Sequence, residues 1–342
     1  MKKIVALLIN DVHLNKDNGA LVKDIFKQVV GICRKNSIEH IIVGGDVFTN
    51  RSGQPLDCLT NWDEILGFIN KKKLQIHLIP GNHDKTDKDD KRSYLTIYRR
   101  SCLNLYSVAT VVDIMGLRFF FIPYFGDEKW LEEFERVKDE ITKNSILITH
   151  MGFDGVVNND GSRVSSAIKP SMFQEFSKVF IGHYHNASKL AKNVIYTGSA
   201  YQNDFGEKIE DKGCTLIYDD GSYKLLPLKF PKYIKEVIDV NDTERTRELT
   251  EKYENDDYNH IRFIFKGKKV DANKINETYF AERGIDVKFE SDEENKSIEC
   301  SEDETFFSYD TKTLMKDFIS FCAENSIKGK NLRYGMNLIK EL

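Results

Sequence analysis

Five of the eight histidines in this chain, His13, His83, His150, His183 and His185, fall at or just beyond the end of a short apolar run. Asp11, Asp46, Asn82 and Asp84 occupy equivalent places. Together they lie in five stretches: "DVH" (11–13), "GGDVF" (44–48), "GNHD" (81–84), "TH" (149–150) and "GHYH" (182–185). Imidazole, carboxylate and carboxamide groups without a thiol suit a borderline or hard divalent ion such as Mn, Fe or Zn. Even seven of these nine N/O groups are too many for one tetrahedral ion and suit two ions about 3.5–4 Å apart. Two dications carry four positive charges, of which Asp11, Asp46 and a bridging hydroxide would remove three. The remaining charge suits a phosphate ester anion, and the hydroxide would be a nucleophile near neutral pH.

Taken one at a time, the stretches have plainer readings. "DVH" could be a turn whose Asp caps the next helix. "GGD" could be a tight turn, and the His of "THM" alone could be a satisfied core or turn residue. "GHYH" says more, because residues i and i+2 of an extended backbone face the same side. "GNHD" is the most specific, since an ordinary turn has no use for a His between an amide and a carboxylate. The ordered set, each member at a strand end, is what calls for a common explanation.

The elements that must position these groups follow from periodicity. "KIVALLIN" (3–10), "HIIVGGD" (40–46), "LQIHLIPG" (74–81), "LRFFFIPY" (117–124), "SILITH" (145–150) and "SKVFIGH" (177–183) read as strands. Helical patterns near 19–36, 56–72 and 127–143 separate them. Continuous apolar strands with helices between them predict an α/β fold whose sheet is buried on both faces, with ligands at the carboxyl ends of the strands. From "VIYTGS" to "YKLLPLKF" the pattern predicts antiparallel strands completing a second sheet. After "KFPKY" (229–233) a small βαβαβ module is expected, then an acidic stretch (290–304) and helices at 310–325 and 329–342. These define three regions, 1–230, 231–305 and 306–342.

Composition bounds the reading. A chain of 342 residues, 40% hydrophobic, can bury a substantial core, and no apolar run reaches the length of a membrane span. The six cysteines (33, 58, 102, 214, 300, 322) form no CxxC pair, which predicts reduced thiols and a cytoplasmic protein. A net charge of −4 argues against broad nucleic-acid affinity by the chain alone. Bound cations or a partner could still supply a positive field.

In order and spacing, "DVH", "GGDVF", "GNHD", "TH" and "GHYH" resemble the signature of the calcineurin-like metallophosphoesterases over residues 1–230. "GGDVF", the segment "YTGSAYQNDFGEKIEDKGCTLI" (196–217) and the βαβαβ module further resemble SbcD-type DNA nuclease subunits, including the form found in tailed phages. The resemblance implies a four-layer α/β/β/α sandwich of two packed sheets with a capping domain and C-terminal helices. It also implies a Mn-dependent exo- and endonuclease of DNA recombination and repair. Carried over, Asp11, His13 and His185 would hold one ion, Asn82, His150 and His183 the other, and Asp46 would bridge them. His83 would act on the scissile phosphate, oriented by Asp84. The implied partners are DNA, a coiled-coil SbcC-like ATPase docked on the terminal helices, and a second copy through the nuclease domain. The implied location is the cytoplasm, at the nucleoid, or the host's cytoplasm for a phage protein.

Two departures from the family stand out. Some relatives carry a second His soon after "GDxF", where this chain has "TNRSGQP" (49–55), and Ala200 stands where Pro is common. Arg51, Lys85 and Arg92, near "GNHD", are candidates for contacts to the DNA backbone, although any one of them could be solvated surface. The alternatives are a free-standing phosphoesterase of nucleotides or other small esters, and a non-catalytic DNA-end scaffold.

Overall fold

Apolar runs bounded by polar turns form the strands, and amphipathic stripes form the helices that cover them. In a computed structural model the described residues are 2–157, 162–209 and 212–291, with Phe318 and Met336 beyond them. The first strands are β1 (Ile4–Ile9), β2 (His40–Val43), β3 (Gln75–Leu78), β4 (Leu103–Leu105), β5 (Thr110–Ile114) and β6 (Leu117–Ile122). Next come β7 (Ser145–His150), β8 (Lys178–Gly182), β9 (Ser188–Lys189), β10 (Val194–Tyr196), β11 (Gly213–Tyr218) and β12 (Tyr223–Pro227). They build two six-stranded sheets, ordered β12-β11-β1-β2-β3-β4 and β5-β6-β7-β8-β10-β9.

The alternation of side chains sorts the core into layers. Along β1, Leu7 and Ile9 face the helices α1 (Gly19–Lys35) and α2 (Leu56–Lys71), while Ala6 and Leu8 face the second sheet. Phe119 and Phe121 of β6 meet them between the sheets, and Phe120 and Ile122 pack outward with Trp130 and Phe134 of α3 (Asp127–Glu135). This is the expected α/β/β/α sandwich. Helix α1 forms because Val22, Ile25, Phe26, Val29, Val30 and Cys33 recur at helical spacing and bury one stripe.

Several elements differ from the sequence reading. β11 and β12 do not complete the second sheet. β11 pairs antiparallel with β1 and β12 with β11, extending the first sheet. The free edge of β1 accepts β11, which buries Cys214 and Leu216 under the helices and Ile217 between the sheets. The second sheet instead gains β10, parallel to β8, and a hairpin of β5 with β6. The helix expected to reach 143 ends at Glu135 and is followed by a 3-10 turn at Lys138–Glu140.

A third sheet, β13 (Tyr233–Asp239), β14 (His260–Gly267) and β15 (Ile285–Ser291), is all parallel. Its crossovers contain α4 (Thr243–Tyr253) and α5 (Glu277–Ala281), and Phe263, Phe265, Leu249 and Phe280 form its own core. By contact density the chain divides into two units, Met1–Asp292 and Glu293–Leu342. The acidic stretch beyond Ser291 and the terminal helices lie outside the described residues, apart from Phe318 and Met336, which are helical.

Candidate metal centre

Each strand that ends on the shared rim brings one donor stretch. The turn that aims these side chains inward uses left-handed backbone: Asp11 (φ 52°), His13 (47°), Asp46 (51°) and His183 (96°). Asp and His tolerate this region better than most residues, and such strain persists only where surrounding bonds impose it. Those bonds are present. Asp11 N donates to the Gly45 carbonyl at 3.2 Å and His13 N to the Asp46 carbonyl at 3.0 Å. His183 N donates to Asp11 Oδ1 at 3.0 Å, and His83 N to Asp46 Oδ1 at 2.8 Å. Glycines admit the close approach. A Cβ at Gly81 would land on the Asp46 carboxylate and backbone nitrogen, and one at Gly45 on the His150 ring.

Two triads result, Asp11–His13–His185 and Asp46–His150–His183, each with its donor atoms within 4.8 Å of one another. Asp46 Oδ2 lies 3.2 Å from His150 Nε2 and 3.6 Å from His13 Nε2, so it faces both triads. Asn82 Oδ1 lies 3.1 Å from His150 Nε2 and 2.9 Å from His183 Nδ1. His150 Nδ1 donates to the Gly44 carbonyl at 2.9 Å, which turns the Nε2 lone pair inward.

Electrostatics matches a cation site. Burial lowers His13 and His183 to about 3, keeping both rings neutral. Burial opposes a charge on His150 too, but the Asp46 carboxylate outweighs it and holds this ring at about 9, so its Nε2 lone pair becomes available when a bound ion takes the place of that proton. Asp11 is raised by burial. The Nε2 atoms of His13 and His185 face each other at 2.9 Å, and the buried Asn82 Nδ2 has no partner among the described residues while its oxygen points at two histidines. Converging lone pairs around buried carboxylates fit two divalent ions.

The remaining predicted residues divide. His83 sits on the rim outside both triads, its ring edge-on to His13 at 5.0 Å. Arg51 Nη2 lies 3.3 Å from His83 Nε2. Guanidinium only donates, so Nε2 accepts and Nδ1 donates to the Thr49 carbonyl. Among the described contacts Asp84 has no bond to the His83 ring, which was expected to be oriented by it. Its buried carboxylate accepts from the amides of Gly81 (2.9 Å), Phe48 (3.0 Å) and Val47 (3.3 Å), riveting the "GNHD" turn to the "GGDVF" loop. Lys85 is no surface cation either. It is buried, donates to the Tyr124 carbonyl and lies 3.7 Å over the Phe125 ring, and burial lowers it to about 8. Arg92 is exposed and paired with Asp90 at 2.8 Å.

The sequence reading used the segment 196–217 only as part of the resemblance and gave no role to Tyr201, Glu207 or Lys212, which brace the rim. Tyr201 is buried and bonds the Val12 carbonyl. Glu207 Oε1 accepts from His185 Nδ1 at 2.6 Å, and its other oxygen holds Lys212 at 2.6 Å. A Glu and a Lys five apart in a polar loop carry no periodic signal. Tyr124, stacked on His183 at 6.1 Å between centroids, also went unnoticed.

Residues 4–187 match the calcineurin-like phosphoesterase family, more than half of the chain. The protein therefore belongs to that family, whose members are metal-dependent hydrolases of phosphate esters. Among its relatives is "Putative phosphoesterase 078R" of Invertebrate iridescent virus 3, 22% identical over 78% of this chain and 77% of that one. DNA double-strand break repair protein Mre11 of Sulfurisphaera tokodaii is 25% identical over 80% of this chain and 76% of its own. Exonuclease subunit 1 of Enterobacteria phage T4 is 26% identical over 56% of each chain. Among the described residues no helix is long and apolar enough to cross a membrane.

Proposed function

We propose that this chain is a DNA nuclease using two divalent ions, manganese in the working enzyme, and that it is the nuclease subunit of an SbcCD-like recombination and repair complex. The observation that carries this reading is the pair of facing triads with Asp46 directed at both. The likeness to an exonuclease subunit and a double-strand break repair protein supports DNA as the substrate. In this proposal residues 1–230 form the nuclease domain, 231–305 cap its face, and 306–342 dock a coiled-coil ATPase. A second copy would pair through the nuclease domain, and the complex would work in the cytoplasm.

Asp11, His13 and His185 would hold one ion, and Asn82, His150 and His183 the other, with Asp46 shared. Bound there, the ions would supply Lewis acidity toward a phosphate oxygen and lower the pKa of water. The chain's own residues do the rest. The Gly44 and Glu207 acceptors fix the rings of His150 and His185 with Nε2 inward. His83, its Nδ1–H anchored on Thr49, turns Nε2 toward the rim, where on taking up a proton it would donate to the phosphate or the departing oxygen of a phosphodiester. Arg51, beside that Nε2, adds a guanidinium for the phosphate. Asp84 acts through the turn it rivets.

The test is Mn-dependent degradation of end-labelled linear duplex by the full chain, beside Asn82→Ala and His83→Ala. Cutting that disappears in both variants is expected. Hydrolysis of a small chromogenic phosphodiester without cutting of duplex or single strands, even with the ATPase partner added, would replace this reading by the free-standing phosphoesterase. Unchanged repair activity in His83→Ala would favour the scaffold.

A further inference from the structure

The buried ion pair of Glu207 and Lys212 belongs to neither triad, yet it grips a member of one. Both side chains are fully shielded, with Oε2 and Nζ 2.6 Å apart. Glu207 takes the His185 ring at Nδ1, while Lys212 donates to the His185 carbonyl at 2.6 Å and to Ser199 Oγ at 2.9 Å. Ring and backbone of His185 are thus held by the two ends of one ion pair. With Nδ1–H committed to Glu207, the Nε2 lone pair is fixed toward His13.

The same segment is clamped from the other side. Gln202, also buried, accepts from Tyr233 N at 2.8 Å through Oε1 and donates to the Tyr233 carbonyl at 3.1 Å through Nε2. That Nε2 also donates to the Glu207 carbonyl at 2.9 Å. Tyr233 opens β13, so one amide joins the third-sheet module to the residue that grips His185. Phe205 reinforces the junction, packing edge-on to Tyr233 at 5.0 Å and lying 4.0 Å under the Arg262 guanidinium of β14.

We infer that Glu207 and Gln202 are positioning residues that make ion binding at the Asp11–His13–His185 triad depend on the placement of the β13–β15 module. This rests on the two-ion reading above. The path is short and polar: module backbone, Gln202 amide, Glu207, His185 ring. A displacement of β13 pulls on both Gln202 contacts and turns the imidazole away from its partners. The Asp46–His150–His183 triad has no bond to this segment among the contacts described, so the effect is confined to one ion.

Calorimetric titration of the full chain with manganese alone tests this, on wild type, Glu207→Gln and Gln202→Ala. Wild type is expected to bind two ions. Glu207→Gln should weaken one of them by about 10–100-fold and spare the other. Gln202→Ala keeps the ion pair and so should fold with Glu207 in place. It should weaken the same ion several-fold, with little change in Tm. In the metal-free chain the His185 Nδ1–H proton signal should move upfield in Glu207→Gln, a change that loss of packing elsewhere does not produce. Two ions with unchanged affinity in both variants would overturn this inference alone. So would Gln202→Ala losing both ions together, because that marks general disruption. A wild type that binds no divalent ion would overturn the two-ion reading and this inference with it.

Discussion

His77→Phe should flatten the acid limb of the stability curve, and the size of the change can be worked out beforehand. His77, on β3, is 5% exposed; its Nε2 lies 3.0 Å from His40 Nδ1 and its Nδ1 2.8 Å from the Tyr106 hydroxyl. Its ring stacks on Phe121 at 5.7 Å with 8° between planes. Burial, with a smaller contribution from His40, lowers it from 6.5 to about 4. Between those values the unfolded chain binds a proton that the folded chain refuses. Stability is therefore full above pH 6.5, falls as pH drops toward 4, and levels off below. A gap of about 2.5 units at 1.36 kcal/mol each gives about 3 kcal/mol, of which about 2 kcal/mol is lost by pH 5. His40, also lowered by burial, adds to the fall with the same sign. Phenylalanine keeps the stack but leaves Tyr106 and His40 without a partner, which costs about 1–3 kcal/mol at every pH. The assay is urea unfolding of metal-free wild type and variant from pH 8 to 5 at constant ionic strength, read as the difference between the two curves. A constant offset plus a difference that shrinks by about 2 kcal/mol toward pH 5 is expected. A difference independent of pH would refute the reasoning, because His77 would then titrate alike in both states.

Other substitutions probe the core and the site. Trp130→Ala empties the centre of the outer cluster and frees the Thr149 hydroxyl that its Nε1 bonds at 2.9 Å, so urea unfolding should show a loss of about 3–5 kcal/mol. Gly81→Ala drives a Cβ into Asp46, the group facing both triads, and should abolish tight manganese binding in a calorimetric titration. Arg51→Ala should weaken DNA binding evenly across sequences and reduce the slope of log K against log salt by about 1. Lys85→Met, buried over Phe125, should leave that slope unchanged.

By itself the sequence determined the class of fold, the positions of most strands in the first 230 residues, and the small βαβαβ module. It also marked, at the strand ends, the polar residues that the fold gathers into two candidate metal-binding triads. These are local properties: an apolar run reports its own burial, and a polar residue that ends it reports a rim. Which sheet a strand joins is not local. β11 and β12 look like any late antiparallel pair, and only the free edge of β1 assigns them to the first sheet. Partners of charged side chains are equally invisible along the chain. Asp84 bonds three amides rather than His83, Lys85 turns inward onto Phe125, and Glu207 reaches His185 across a loop. Each is fixed by groups the chain brings together only on folding. A buried charge must find a partner or ring near at hand, and the tertiary structure decides which one is there.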